Sequence, residues 1–204
     1  MKKFIVLIAL AVGSHAFAQD VDQSSTPRRK TIFTGYGVSS NKYTRFNGEN
    51  AVLLGAYGGV LINHKLMVGL GGYGLVTRHD ANVVSDHYKK NSYKMGYGGF
   101  VFEYDIVDRG RFHATSNVLL GAGAIINGHS KSGSIYDPEH FLSEEESGFL
   151  VAEPSLALEA DVTNWFRVGV GAGYRFVGSS NMTSISDHEL SGVTANISLK
   201  FGVF

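Results

Sequence analysis

The chain has 204 residues, with 18 Lys and Arg against 18 Asp and Glu, 26 glycines, three prolines and no cysteine. The absence of cysteine excludes disulfides, a thiolate metal centre and a lipid-modified N-terminal cysteine. Charge neutrality argues against a nucleic-acid partner, and scarce proline against a Pro-rich disordered chain.

The first element is Met1-Lys2-Lys3, the apolar run Phe4 to Val12 and the small-residue close Ala16-Phe17-Ala18. This is the n-region, h-region and A-x-A site of a cleavable signal peptide over 1–18. The apolar run is about half the roughly 20 residues that a spanning helix needs. Cleavage removes Lys2 and Lys3 and no acid, so the remaining 186 residues carry 16 basic and 18 acidic side chains, a net charge of −2. Residues 19–30 form a polar leader containing Arg28-Arg29-Lys30, able at most to touch periplasmic partners or anionic headgroups.

From residue 31 to 204 the chain falls into segments rich in Val, Leu, Tyr, Phe and Gly, and eight strands are predicted. They cover 31–40, 50–62, 65–77, 92–106, 111–127, 147–161, 166–178 and 190–204. The second, fourth and sixth links are short: Asn63-His64, Val107 to Gly110 and Val162 to Trp165. The first, third, fifth and seventh are long and polar, at 41–49, 78–91, 128–146 and 179–189. Short turns on one rim and long loops on the other are the pattern of an outer-membrane barrel, with both termini on the periplasmic side.

In the seventh strand Phe166, Val168, Val170, Ala172, Tyr174 and Phe176 alternate with Arg167, Gly169, Gly171, Gly173 and Arg175. The eighth sets Val193 to Val203, at odd numbers, against Thr194, Asn196, Ser198, Lys200 and Gly202. An apolar face opposed to a small, glycine-rich polar face suits lipid outside and a narrow lumen inside. The fold class expected is all-β, an eight-stranded antiparallel up-and-down transmembrane barrel.

On these strands the chain resembles the OmpA/OmpX-type eight-stranded outer-membrane barrels, and the Glu153-Pro154-Ser155-Leu156-Ala157-Leu158 stretch resembles barrels of Bacteroidota-type bacteria. The resemblance implies an outer-membrane location in a Gram-negative envelope. The implied partners are outer-membrane lipids, lipopolysaccharide and the assembly machinery, with host or surface ligands reached through the loops, no nucleic acid and no cofactor. That machinery typically reads a last strand with a terminal aromatic. Here the signal is Asn196-x-Ser198-x-x-Phe201-x-Val203, with Phe204 an additional residue on the other parity.

If Thr163-Asn164-Trp165 make the turn, facing residues have numbers summing to 328, so Asp161 opposes Arg167 and Glu153 opposes Arg175. The same reading of the fourth and fifth strands sets Asp105 near Arg111 and Glu103 near His113. These charges are expected to plug the lumen with ion pairs rather than form an ion path, since eight strands enclose only enough room for side chains. Pro154 cannot donate to a ladder and is expected at a bulge that would disturb the parity of Glu153.

The loops hold the acid–histidine neighbours His79-Asp80, Asp86-His87, Glu139-His140 and Asp187-His188-Glu189, whose side chains suit zinc or copper, although ordinary solvated loop residues account for them. Glu144-Glu145-Glu146 is expected in the longest loop. Phe33, Tyr104, Phe112, Trp165 and Phe166 are expected in a lower aromatic belt, and Tyr36, Tyr93, Tyr174 and Phe176 in an upper one.

Two enzymes share this barrel size, the lipid A deacylase and the lipid A palmitoyltransferase. His113-Ala-Thr-Ser116 resembles the deacylase pairing of histidine and serine, but a spacing of three puts the two on opposite faces of a strand. The functional expectation is a non-catalytic barrel with a plugged lumen, acting in envelope structure or in adhesion through its loops. A lipid A-modifying enzyme and a narrow pore are the alternatives.

Overall fold

The structure, a computed structural model, describes residues 31–46, 48–77, 90–130, 141–180 and 185–204, and of 90–92, 128–130 and 141–145 the backbone alone. The expected signal peptide and leader lie outside these residues.

Eight strands run in chain order: β1 (Phe33–Phe46), β2 (Glu49–Ile62), β3 (Leu66–Leu75), β4 (Lys90–Arg109), β5 (Phe112–Ser130), β6 (Phe141–Thr163), β7 (Phe166–Gly178) and β8 (Gly192–Gly202). Each pairs antiparallel with the next, and β8 pairs with β1 to close the barrel. Side-by-side partners followed once round the wall lead from Thr34 through Glu103 and Gly173 to Thr44, ten residues further up β1. An eight-stranded wall with that stagger tilts its strands by about 40°.

Turn chemistry explains the short links. Asn63 and His64 take φ of 53° and 54°, and Lys65 N–H donates to Ile62 O at 3.1 Å, a two-residue turn of the type whose twist matches a hairpin. Asn63 also ties down the start of β1: its Oδ1 accepts from Ile32 N–H at 3.1 Å and its N–H donates to Ile32 O at 2.9 Å. Gly110, at φ 64°, supplies the left-handed residue between β4 and β5.

Three sequence expectations need correction. The segment 41–49 is not a long loop. β1 runs to Phe46, β2 starts at Glu49, and Gly48 at φ 78° makes the link a tight turn. Asn41 to Arg45 look loop-like because a run of polar residues ordinarily faces solvent, whereas Lys42 and Thr44 point into the barrel and are buried. The acidic run also lies in a strand, since β6 begins at Phe141, with the register stepping at Asn127/Gly128 so that Glu144 is passed over. Finally, Pro154 does not disturb parity. Glu153 and Pro154 drop out of the ladder to β7, as a missing N–H requires, but Ala152–Phe176 and Ser155–Gly173 keep one register on either side.

The two faces are inverted relative to a water-soluble barrel. Outside stand Leu70, Phe100, Leu156, Leu158, Val170 and Ile197, all largely exposed, while Glu103, Glu153, Glu159, Arg167, Arg175 and Lys200 are buried inside. Phe33, Tyr104, Phe112 and Trp165 ring the lower outer surface. Tyr36 and Tyr93 do not join the belts, because their parity turns them inward to 8% and 6% exposure.

Glycine pairs let the wall bend. Gly59 faces Gly69, and Gly99 faces Gly121. A Cβ on Gly69 would lie 2.0 Å from Gly58 O, and one on Gly121 would lie 2.0 Å from Gly98 O. No side chain fits where adjacent backbones approach so closely.

Candidate functional site

The lumen holds two charged clusters one above the other. In the lower, Glu103 accepts from Tyr36 Oη at 2.5 Å, Tyr57 Oη at 2.7 Å and Asn117 Nδ2 at 3.2 Å, and Lys200 Nζ completes its shell. Lys200 Nζ also lies 2.6 Å from Glu159, whose other oxygen is 3.3 Å from Arg167 Nη1. Arg167 Nε donates to Asp161 at 2.6 Å, and His113 Nε2 is 2.9 Å from the same carboxylate. The chain of pairs thus crosses from β4 through β8 to β6, β7 and β5.

The upper cluster centres on Glu153. Lys42 Nζ lies 2.9 Å away, Tyr97 Oη donates at 2.7 Å and Thr194 Oγ1 at 3.1 Å. Lys42 also sits 3.4 Å above the Tyr73 ring, which stacks on Tyr97. Between the clusters remains a cavity of about 20 Å³, bordered by Lys42, Glu103 and Glu159. That is room for about one water.

The partners of several expected pairs are different from the expectation. The cation on Glu153 is Lys42. Arg175, fully buried, turns its Nε to Leu190 O at 2.9 Å, and among the described residues neither of its terminal nitrogens has a hydrogen-bond partner. Glu103 faces Asn117 and pairs with Lys200, not His113. Asp105 is in register with Thr115, and Arg111 is exposed in the turn, so these two do not meet. For Glu103 and Asp105 the cause is the turn: Gly110-Arg111 closes the β4–β5 hairpin further along the chain than the expected 107–110 link, and the one-residue slip between Asp105 and Val107 only partly offsets it. Glu153 and Arg175 keep the expected register but turn to other partners. Asp161 and Arg167 do face each other.

Above the clusters, residues 185–191 fold over the mouth. Helix α1 (Asp187–Leu190) carries Leu190, which with Ile185 is buried against the lumen core. Asp187 accepts from Ser180 N–H at 3.0 Å, so it serves the loop's own structure. His79, Asp80, Asp86, His87, Glu139 and His140 lie outside the described residues. Among the described residues no three metal-ligating side chains converge.

The Ser186 N–H and hydroxyl each donate to Glu189 at 2.8 Å and hold its carboxyl below the usual range. A depressed pKa contributes stability that is present above the ordinary carboxylate value and lost as pH falls through the lowered one. Exchange protection of the Ser186 amide should therefore survive acidification through the usual glutamate range and collapse only below it. Loss of protection already in the usual range would contradict this.

At the lower mouth Phe204 turns inward. Its ring lies 5.5 Å from that of Tyr36, and the Arg167 guanidinium stands 4.4 Å from its centre. Phe201 and Val203 face outward, and Phe201 stacks with Phe166 at 5.0 Å. Asn196 and Ser198 lie on the inward parity, with Ser198 buried. His113 and Ser116 are on opposite faces of β5, the serine in register with outward Leu156.

No family model matches the sequence, and no curated protein matches it. Among solved structures, Neisserial surface protein A aligns over 86% of this chain and 99% of its own, at 13% identity and a TM-score of 0.51. The chain shares its eight-stranded barrel fold. Ail, the attachment invasion locus protein of Yersinia pestis, aligns over 83% of this chain and 96% of its own, at 12% identity and a TM-score of 0.44.

Sequence reasoning missed Lys42, Lys200 and the tyrosines that complete the carboxylate shells. Lys200 stood on the polar parity of the last strand and was available to a search across the lumen. Lys42 was hidden by the loop reading of its segment.

Proposed function

We propose that this chain is a non-catalytic outer-membrane barrel that works by presenting structure above the membrane, in adhesion or another surface contact. An apolar exterior around a charged interior supports the membrane location, because lipid outside and a sealed polar lumen inside are what such faces are built for.

The observation that carries the surface role is the height of three strands. The β3–β4 ladder ends at Gly74–Gly96 and the β6–β7 ladder at Leu150–Gly178, yet β4 and β5 stay paired up to Lys90–Ser130, and β5 and β6 up to Ser130–Phe141. A three-stranded sheet therefore stands above the rest of the wall. Ordered structure carried clear of the rim offers backbone and side chains to a partner, which a barrel needed only for envelope strength does not require.

Shortening the β5–β6 hairpin by removing 128–142 tests this. Cells of a non-adherent strain displaying the full chain should bind immobilised host matrix several-fold better than cells displaying the shortened one, with both giving a heat-modifiable folded band. Equal binding by the two would overturn the adhesion reading. The filled lumen predicts no ion current in planar bilayers, and stepwise conductance would refute the plug.

A further inference from the structure

Arg175 is the one buried charge of the lumen that the two clusters do not account for. It is fully buried, its Nε donates to Leu190 O, and among the described residues neither terminal nitrogen has a hydrogen-bond partner. The acid that the β6–β7 register sets opposite it, Glu153, is already engaged by Lys42, Tyr97 and Thr194. Among the described residues the upper lumen thus buries two cations, Lys42 and Arg175, against one carboxylate. An uncompensated guanidinium with a free fork of donors is costly to bury, and a bound anion would satisfy both its charge and its N–H groups.

The space above it is apolar. Phe46, Met95, Ile125 and Phe149 are buried in the upper lumen, and Ile185 and Leu190 of the segment over the mouth complete the same cluster. Leu190 therefore gives Arg175 one carbonyl oxygen and gives the apolar cluster one side chain. That segment, residues 185–191, is fastened along one side. Besides the bond from Arg175, Val177 N–H donates to Ser191 Oγ at 2.9 Å and Ser180 N–H to Asp187 at 3.0 Å, so these ties all lie on β7 or just beyond it. Lifting the segment would open a pocket with apolar walls and an unpaired cation at its base, while the lower cluster still closes the barrel.

From this we infer that the upper lumen is a binding site for a small amphiphilic monocarboxylate, and that residues 185–191 occupy it as a displaceable cap. The site goes beyond the surface role proposed above and does not depend on it. One excess positive charge selects a monoanion, and the flat fork of two terminal nitrogens matches the two oxygens of a carboxylate. The apolar walls select an aliphatic body about the size of the Leu190 and Ile185 side chains together. Because the cap has to leave first, it sets the apparent affinity through the fraction of chains in which it is displaced.

Octanoate is the probe, octanol supplies the same body without the charge, and acetate supplies the carboxylate without the body. The full chain in zwitterionic bilayers should show a saturable heat with octanoate beyond that of empty bilayers, and none with octanol or acetate. Arg175→Lys, which keeps the charge and loses the fork, should weaken binding roughly tenfold or more, the worth of one hydrogen bond to a charged group. Arg175→Met should abolish it. The chain has no cysteine, so Ile185→Cys, buried under the cap, reports on the cap without any change at Arg175. A membrane-impermeant maleimide should label it several-fold faster with octanoate than with octanol or acetate, and the acceleration should vanish in the Arg175→Met background. No saturable binding to the wild type, undiminished binding to Arg175→Met, or octanol binding as well as octanoate would overturn the site. Acetate binding equally well would overturn the amphiphile, and octanoate that binds without speeding the labelling would overturn displacement of the cap. The heat-modifiable band of each variant separates loss of binding from loss of fold.

Discussion

Lys200→Met is expected to destabilise the barrel by about 3–5 kcal/mol, the cost of removing one partner from a buried ion pair. Lys200 is 1% exposed and serves two carboxylates, Glu103 and Glu159. Glu159 keeps Arg167 and Thr115, but Glu103 is left with three neutral donors and no cation. Methionine fills similar volume, so the loss is electrostatic rather than a cavity. Adding Glu103→Gln should restore most of the stability, since the amide carries no charge: an oxygen in place of Oε2 still accepts from Tyr57 and Asn117, and an NH2 in place of Oε1 donates to the Tyr36 hydroxyl. Urea titration in vesicles, read by the folded band on a gel, measures both. A single variant that loses less than about 1 kcal/mol, the range of exposed pairs, or a double variant no better than the single, would show that the pair is not what holds the lower lumen.

Gly121→Ala should cost about 3 kcal/mol or more, the upper end for overpacking, while Gly37→Ala should leave stability unchanged. The two substitutions add the same methyl group. At Gly121 it would fall 2.0 Å from Gly98 O and 2.7 Å from Gly99 Cα, so backbone must move. At Gly37 it meets nothing within 4 Å. The same titration should separate the two clearly, and equal midpoints would refute the account of the glycine pairs as sites of backbone approach.

Much of the architecture is written locally and was legible. Period-2 alternation places the strands, and Asn63-His64 and Asn164-Trp165, the latter within the expected Thr163-Asn164-Trp165 turn, mark real reversals. The 41–46 segment was not legible as strand because polar residues signal a loop only when polar means solvated; inside this barrel they point at other charges. The ion pairs were less legible still. A register argument sees neighbours on adjacent strands, and it found Asp161 with Arg167. Lys42 of β1 and Glu153 of β6 meet across the lumen instead, through the reach of a four-carbon side chain. The turn length decided the rest: once Gly110-Arg111 closes the β4–β5 hairpin, Glu103 passes Asn117 rather than His113.

The sequence distances between lumen partners bear on how the barrel forms. Lys200 and Glu103 are 97 residues apart, Tyr36 and Glu103 are 67 apart, and Tyr97 and Glu153 are 56 apart. Hairpins nucleated at the turns can assemble without any of these contacts, since none lies within one hairpin. Arg167 already meets Asp161 and Glu159 within the β6–β7 hairpin, but Glu103 and Glu153 find their lysines only when distant strands have curled into a tube, and a half-unzipped sheet would strand both at once. They therefore act as a latch on closure, favouring a late, all-or-none final step and a slow one, because non-local contacts are reached only after long loops have been closed.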